Sequence, residues 1–165
     1  MDQQLHNLAI RIGDEACRCQ VMLTTAESCT GGWVAEVLTS VAGSSRWFER
    51  GFVTYSNLSK QEMLGVNGET IKQHGAVSEQ TVREMAEGAL RHSHAQISLA
   101  ISGVAGPGGA VLDKPVGTVC LAWAASGYVS RSISRHFSGN REEIRRQAVV
   151  AALDGLLEVL AGWRE

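Results

Sequence analysis

Residues 21–40, "VMLTTAESCTGGWVAEVLTS", change hydrophobic period halfway along. "VMLTTA" reads as a short buried strand, whereas Trp33, Val34, Val37, Leu38 and Val41 recur at helical spacing. Between them lies a polar turn that ends in two glycines. Strand, turn and helix in this order form the building unit of an α/β domain, and the neighbouring segments extend it.

Upstream, Leu5, Leu8, Ala9, Ile12 and Ala16 mark an amphipathic helix over the first eighteen or so residues, expected to cover a sheet. Downstream, "GFVTYS" (51–56) is a second strand candidate, and "LSKQEMLG" (58–65) a short helix stopped by Gly65. Ser78 is placed as the N-cap of a helix carrying Val82, Met85, Ala86, Ala89 and Leu90. "QISLAIS" (96–102) is a third strand, and it runs into a loop over 103–117 with five glycines and both prolines. "TVCLAWAA" (118–125) and "VSRSISRHF" (129–137) read as adjacent antiparallel strands around "SGY".

Asn140 and Glu143 have the spacing of a capping box and open a last helix, with Ile144, Ala148, Ala151, Ala152 and Val159 inward. Val149, Val150, Leu153, Leu157 and Leu160 occupy its other faces. So broad an apolar circumference implies burial on two sides or self-association, and a homodimer is expected. The pattern as a whole predicts an α/β fold in three layers, with one antiparallel strand in an otherwise parallel sheet. Ligands of such sheets bind beyond the carboxyl ends of the strands, where the 28–32 turn, the Tyr55 region and the glycine loop converge.

The 165 residues suffice for one domain with its own core. A net charge of −2 argues against a nucleic-acid partner. Nothing resembles a signal peptide or a membrane span, and the four cysteines lack disulfide or zinc spacing, so a cytoplasmic setting is expected.

Ser28 is either a helix cap or a nucleophile. Thr30 can take the cap, which leaves the Ser28 hydroxyl for chemistry. Backbone N–H groups around Thr30, Gly31 and Gly32 suit an oxyanion or a phosphate, and the glycines permit close approach. None of the five histidines lies in a hydrolase signature, and His92 and His94 are placed at helix-terminal carbonyls. Lys60 is one of only three lysines. Spacing alone favours a solvated position for it, but a buried lysine can serve as base, and Tyr55 can orient the amine or relay the proton. Cys29 competes as nucleophile, although adjacent residues point opposite ways and burial as a small apolar residue is the favoured reading. The glycine loop is neither a P-loop nor a dinucleotide fingerprint; Ser102, Gly103 and nearby amides suit an anion or an amide carbonyl.

The strings "TTAESCTGGWVAEVLT", "AGSSRWFERGFVTYSNLSK", "HGAVSE", "SGVAGPGG" and "KPVGTV" occur in one order. Together they resemble the CinA carboxy-terminal domain family, specifically its stand-alone nicotinamide-nucleotide amidohydrolases. The resemblance implies a three-layer α/β/α sandwich on a mixed, mostly parallel five-stranded sheet. It also implies hydrolysis of the carboxamide of nicotinamide mononucleotide to nicotinate mononucleotide and ammonia, in bacterial pyridine nucleotide recycling, without metal or organic cofactor. Ser28, Lys60 and Tyr55 fall on the family's serine, lysine and tyrosine. Cys29, Thr30, Gly31, Gly32, Ser102, Gly103 and Gly106 are the expected contacts to a small-molecule nucleotide. Gly108, Gly109 and Ala110 depart from the pattern of many relatives, which have a non-glycine residue and then two glycines. A non-catalytic nucleotide-binding member, or hydrolysis of another amide, are the alternatives. Arg141 and Arg145 are possible phosphate ligands, with a solvated helix face as the stronger reading.

Overall fold

The computed structural model describes residues 2–111 and 113–163. In chain order the elements are α1 (Gln3–Cys19), β1 (Leu23–Glu27), α2 (Trp33–Thr39), β2 (Phe48–Val53), α3 (Asn57–Leu64), α4 (Gly68–His74), α5 (Glu79–Arg91), β3 (Ile97–Gly103), β4 (Thr118–Ala125), β5 (Arg131–His136) and α6 (Arg141–Gly162). The sheet runs β2-β1-β3-β4-β5. β1 pairs in parallel with β2 and β3, while β4 runs antiparallel to both β3 and β5. The mixed five-stranded sheet and its single reversed strand match the expectation.

Alternation along the strands gives the sheet two unlike faces. One carries Leu23, Ile97, Leu99, Ile101, Val119, Leu121 and Trp123, covered by α1, α2 and α6. The other carries Ala26, Ala100, Cys120, Ala122 and Ala124, covered by α5 with Leu64, Val66 and Ile71. Small side chains on this second face let α5 lie close, and Ser98 Oγ donates to Ala86 O at 2.6 Å. α5 in turn meets α3 at Gly88, where a Cβ would stand 2.0 Å from Leu64 O. On the opposite face Gly155 makes room for the Trp123 indole, whose Nε1 donates to Ala152 O at 3.0 Å.

Several expectations need correction. β2 begins at Phe48 and ends at Val53, so Tyr55 and Ser56 lie beyond it. Ser56 instead caps α3 in a reciprocal pair with Ser59, and Gly65 ends that helix in a left-handed conformation as expected. The helix α4, opened by the Asn67 side chain, was not anticipated. In α6, Ala151 and Val159 are only partly buried, whereas Val149, Leu153, Leu156 and Leu160 are buried. This helix lies between α1 and strands β3 and β4, which buries it on two sides. Both expected caps, Ser78 on Thr81 N and Asn140 on Glu143 N, are present.

Among the described residues no helix is long and apolar enough to cross a membrane.

Candidate active site

From β1 the chain crosses to β2 through α2 on one face, then returns to β3 through α3–α5 on the other. The connections leaving β1 and β2 go to opposite faces, which opens a crevice at the carboxyl ends of these strands. Ser28 follows β1 directly, and its N–H donates to Ile101 O of β3 at 3.0 Å. The turn beyond it is closed by Gly31 N donating to Ser28 O at 3.0 Å. Gly31 and Gly32 have φ of 60° and 104°, the left-handed region that favours glycine.

Glu27 and Ser28 address opposite sides, as alternation requires. On the α3 side, Lys60 is 1% exposed. Its Nζ donates to Thr54 O at 3.1 Å and lies 3.1 Å from Ser28 Oγ. Spacing had favoured a solvated lysine; the helix α3, packed against α5 on the alanine side of the sheet, buries it instead. Burial holds the amine below its ordinary 10.5, because an ammonium loses hydration there. No carboxylate pairs with it among the described residues.

Cys29 turns the other way, into the core beneath α2 and α6. Desolvation pushes its thiol up to about 12, so it carries almost no thiolate near neutrality. Its reading as a small buried residue holds.

Ser28 and Lys60 line a cavity of about 270 Å³ together with Tyr55, Ser102, the 103–106 segment and Arg141. A Cβ on Gly103 would stand 2.8 Å from Val119 Cγ2, and one on Gly106 2.5 Å from Val116 Cγ1, so the wall requires both glycines. Gly108, one of the departures from the family pattern, has nothing within 4 Å of a Cβ and faces open space. A larger concavity of about 540 Å³ lies between α5 and the β4–β5 hairpin. Its serines are otherwise engaged: Ser78 Oγ donates to Gly75 O, and Ser134 Oγ accepts from Cys120 Sγ.

Tyr55 reaches the cavity but is 62% exposed, and its hydroxyl accepts from Arg141 Nη2 at 3.1 Å. Thr54 O, and not the tyrosine, orients the lysine amine. Arg141 also donates to Gly106 O at 2.7 Å and so ties two rims of the cavity together. Arg145 donates to Cys29 O at 3.0 Å and to Thr30 O at 3.2 Å, and its guanidinium lies over the Trp33 ring. Neither arginine belongs to a merely solvated helix face. Of the histidines, His92 does bond a helix-terminal carbonyl, Gly88 O at 2.8 Å, whereas the His94 N–H donates to Glu49.

Thr30 does not cap α2. The N-cap is Gly32, which has no side chain to offer. Glu27, fully buried, supplies the acceptors instead: Oε1 takes the Val34 N–H at 2.8 Å and Oε2 the Ala35 N–H at 3.1 Å. Its pKa is raised because desolvation outweighs these bonds. Sequence reading passed over Glu27, although an acidic residue ending a buried strand ahead of a glycine-started helix is a recognisable signal.

Fold and site together define an α/β enzyme whose pocket pairs a serine with a buried lysine. The chain belongs to the CinA C-terminal domain family, whose sequence profile matches residues 5–160. It is 52% identical over 155 residues to the nicotinamide-nucleotide amidohydrolase PncC of Escherichia coli K12, covering 94% of both chains. Against the protein of that name from Pseudomonas putida it is 53% identical over 152 residues, covering 92% of this chain and 94% of the other. The crystal structure of the competence/damage inducible protein CihA from Agrobacterium tumefaciens superposes with a TM-score of 0.93 at 44% identity, over 96% of this chain and 97% of that one.

Proposed function

We propose that the chain hydrolyses the carboxamide of nicotinamide mononucleotide to nicotinate mononucleotide and ammonia, within pyridine nucleotide recycling. The observation that carries the mechanism is the buried Lys60 amine 3.1 Å from the Ser28 hydroxyl. With the amine neutral, Ser28 donates its proton to Nζ as Oγ attacks the carboxamide carbon. The tetrahedral oxyanion is held by backbone N–H groups of the Cys29 and 102–106 segments, at ~3 kcal/mol per donor. Lys60 then passes the proton to the departing ammonia, and water resolves the acyl-enzyme by the same route in reverse. Thr54 O keeps the amine in line throughout.

The nucleotide phosphate falls to Arg141 at the cavity mouth. The start of α2 is unsuited to a second anion, because the Glu27 carboxyl already occupies its N–H groups. Tyr55, hydrogen-bonded to Arg141, serves substrate binding rather than proton transfer. All four cysteines are free thiols, which suits a reducing compartment.

Incubation with nicotinamide mononucleotide, with a Ser28→Ala control, tests the proposal. Wild type releases ammonia and the control none above background; equal release from both would remove Ser28 from the mechanism. The pH dependence follows from the lowered Lys60 pKa. kcat/KM rises with pH as the ammonium loses its proton, along a limb centred below 10.5. Stability moves the same way, because between the folded-state pKa and 10.5 the unfolded chain binds a proton the folded chain lacks. A kcat/KM that falls with increasing pH through this limb would exclude a neutral lysine as base.

A further inference from the structure

We propose that Glu27 is a positioning residue for the nucleophile: its carboxylate clamps the start of α2 and thereby fixes the Ser28 turn opposite Lys60. The assignment rests on the Ser28–Lys60 mechanism proposed above.

Residues 28–32 form a short bridge between strand and helix, and Glu27 holds both of its ends. Through its backbone Glu27 belongs to the sheet, its carbonyl accepting from Thr54 N at 2.9 Å. Through its side chain it holds the helix, at the Val34 and Ala35 N–H groups. Thr54 is also the residue whose carbonyl receives the Lys60 amine. One residue is therefore bonded to the support of the base and to both ends of the turn that carries the nucleophile.

The bridge needs such a tie. Gly31 and Gly32 give it two positions of wide backbone freedom. A side-chain cap within the turn is not open to α2, because Gly32 has a φ of 104° whereas capping residues stand on extended backbone, so acceptors for its N–H groups must come from outside the turn. Glu27 is 0% exposed and has no cation partner among the described ion pairs. Burying an acidic group in this way is unfavourable in itself. What it provides is a fixed span from the strand to the helix, with the serine turn held between.

The test compares wild type with Glu27→Gln and Glu27→Asp, using two readouts and a thermal melt. Gln keeps the length but turns an NH₂ toward one amide, and Asp is too short to span both. Labelling of Ser28 by a fluorophosphonate probe, with Ser28→Ala as blank, reports nucleophile placement without the substrate. Both variants are expected to label at least about tenfold more slowly, in keeping with the steep effect of small misplacements. kcat for ammonia release should fall in parallel, with KM within about twofold of wild type. Labelling within about twofold of wild type in a folded variant overturns the proposal. So does failure of both variants to fold, because Glu27 would then be needed for the structure at large. A wild type that labels but releases no ammonia would refute the substrate reading; slowed labelling in the variants would still support the clamp.

Discussion

Replacing Lys60 by methionine is expected to lower kcat for ammonia release by about 10²–10⁴-fold, the span that a general acid–base group contributes. Methionine fills most of the same volume, so packing around α3 is retained. The opposing stability effects are modest: Thr54 O loses a donor, at about 1–3 kcal/mol, while a desolvated amine no longer has to be buried. Tm should therefore stay within a few degrees of wild type, and the loss of turnover can be read as chemistry. Activity above about a tenth of wild type in the folded variant would take the lysine out of the reaction.

Gly88→Ala should be the most destabilising of the single-methyl additions to the α3–α5 side. The new Cβ would lie 2.0 Å from Leu64 O and 2.9 Å from Leu64 C, and a carbonyl at a helix end cannot swing aside as a flexible side chain can. One helix must move off the other. We expect a loss of about 3 kcal/mol, the upper part of the range for overpacking. In a chain of this size that corresponds to a fall in Tm of about 6–12 °C. Because α3 also carries Lys60, kcat should drop in the surviving folded fraction. Gly108→Ala, which meets nothing within 4 Å, is the control and should melt with wild type. Equal melting of all three would mean the α3–α5 contact is looser than the backbone places it.

The sequence reading and the structure agree where one residue pattern decides the matter. The change of period at residues 21–40, the alternation of strands and helices, and the caps at Ser78 and Asn140 all rest on local chemistry. Ser28 was found for the same reason, lying where a strand must give way to a helix. The burial of Lys60 was not readable from spacing, because α3 has only two buried residues, Lys60 and Leu64, and so lacks an apolar stripe. Its surroundings come from Thr54 and Ser28, which are 6 and 32 residues away in sequence. Arg141 and Arg145 were misjudged on similar grounds: on a helical wheel they look solvated, and only the approach of the 29–30 and 106 segments gives them partners. The β2 boundary was shifted because Glu49, Arg50 and Gly51 are polar or small on an outer strand, where alternation carries little signal.

The unlike faces of the sheet also set how the protein can drift by mutation. On the alanine side, where α5 lies close, the strand residues can scarcely grow. On the side built from Leu, Ile and Trp, each loss of volume leaves a void, while equal-sized exchanges pass. Ser28 stands at the seam, its turn resting on the bulky layer and its hydroxyl directed to the thin one, so two opposite kinds of substitution converge on the same few ångströms.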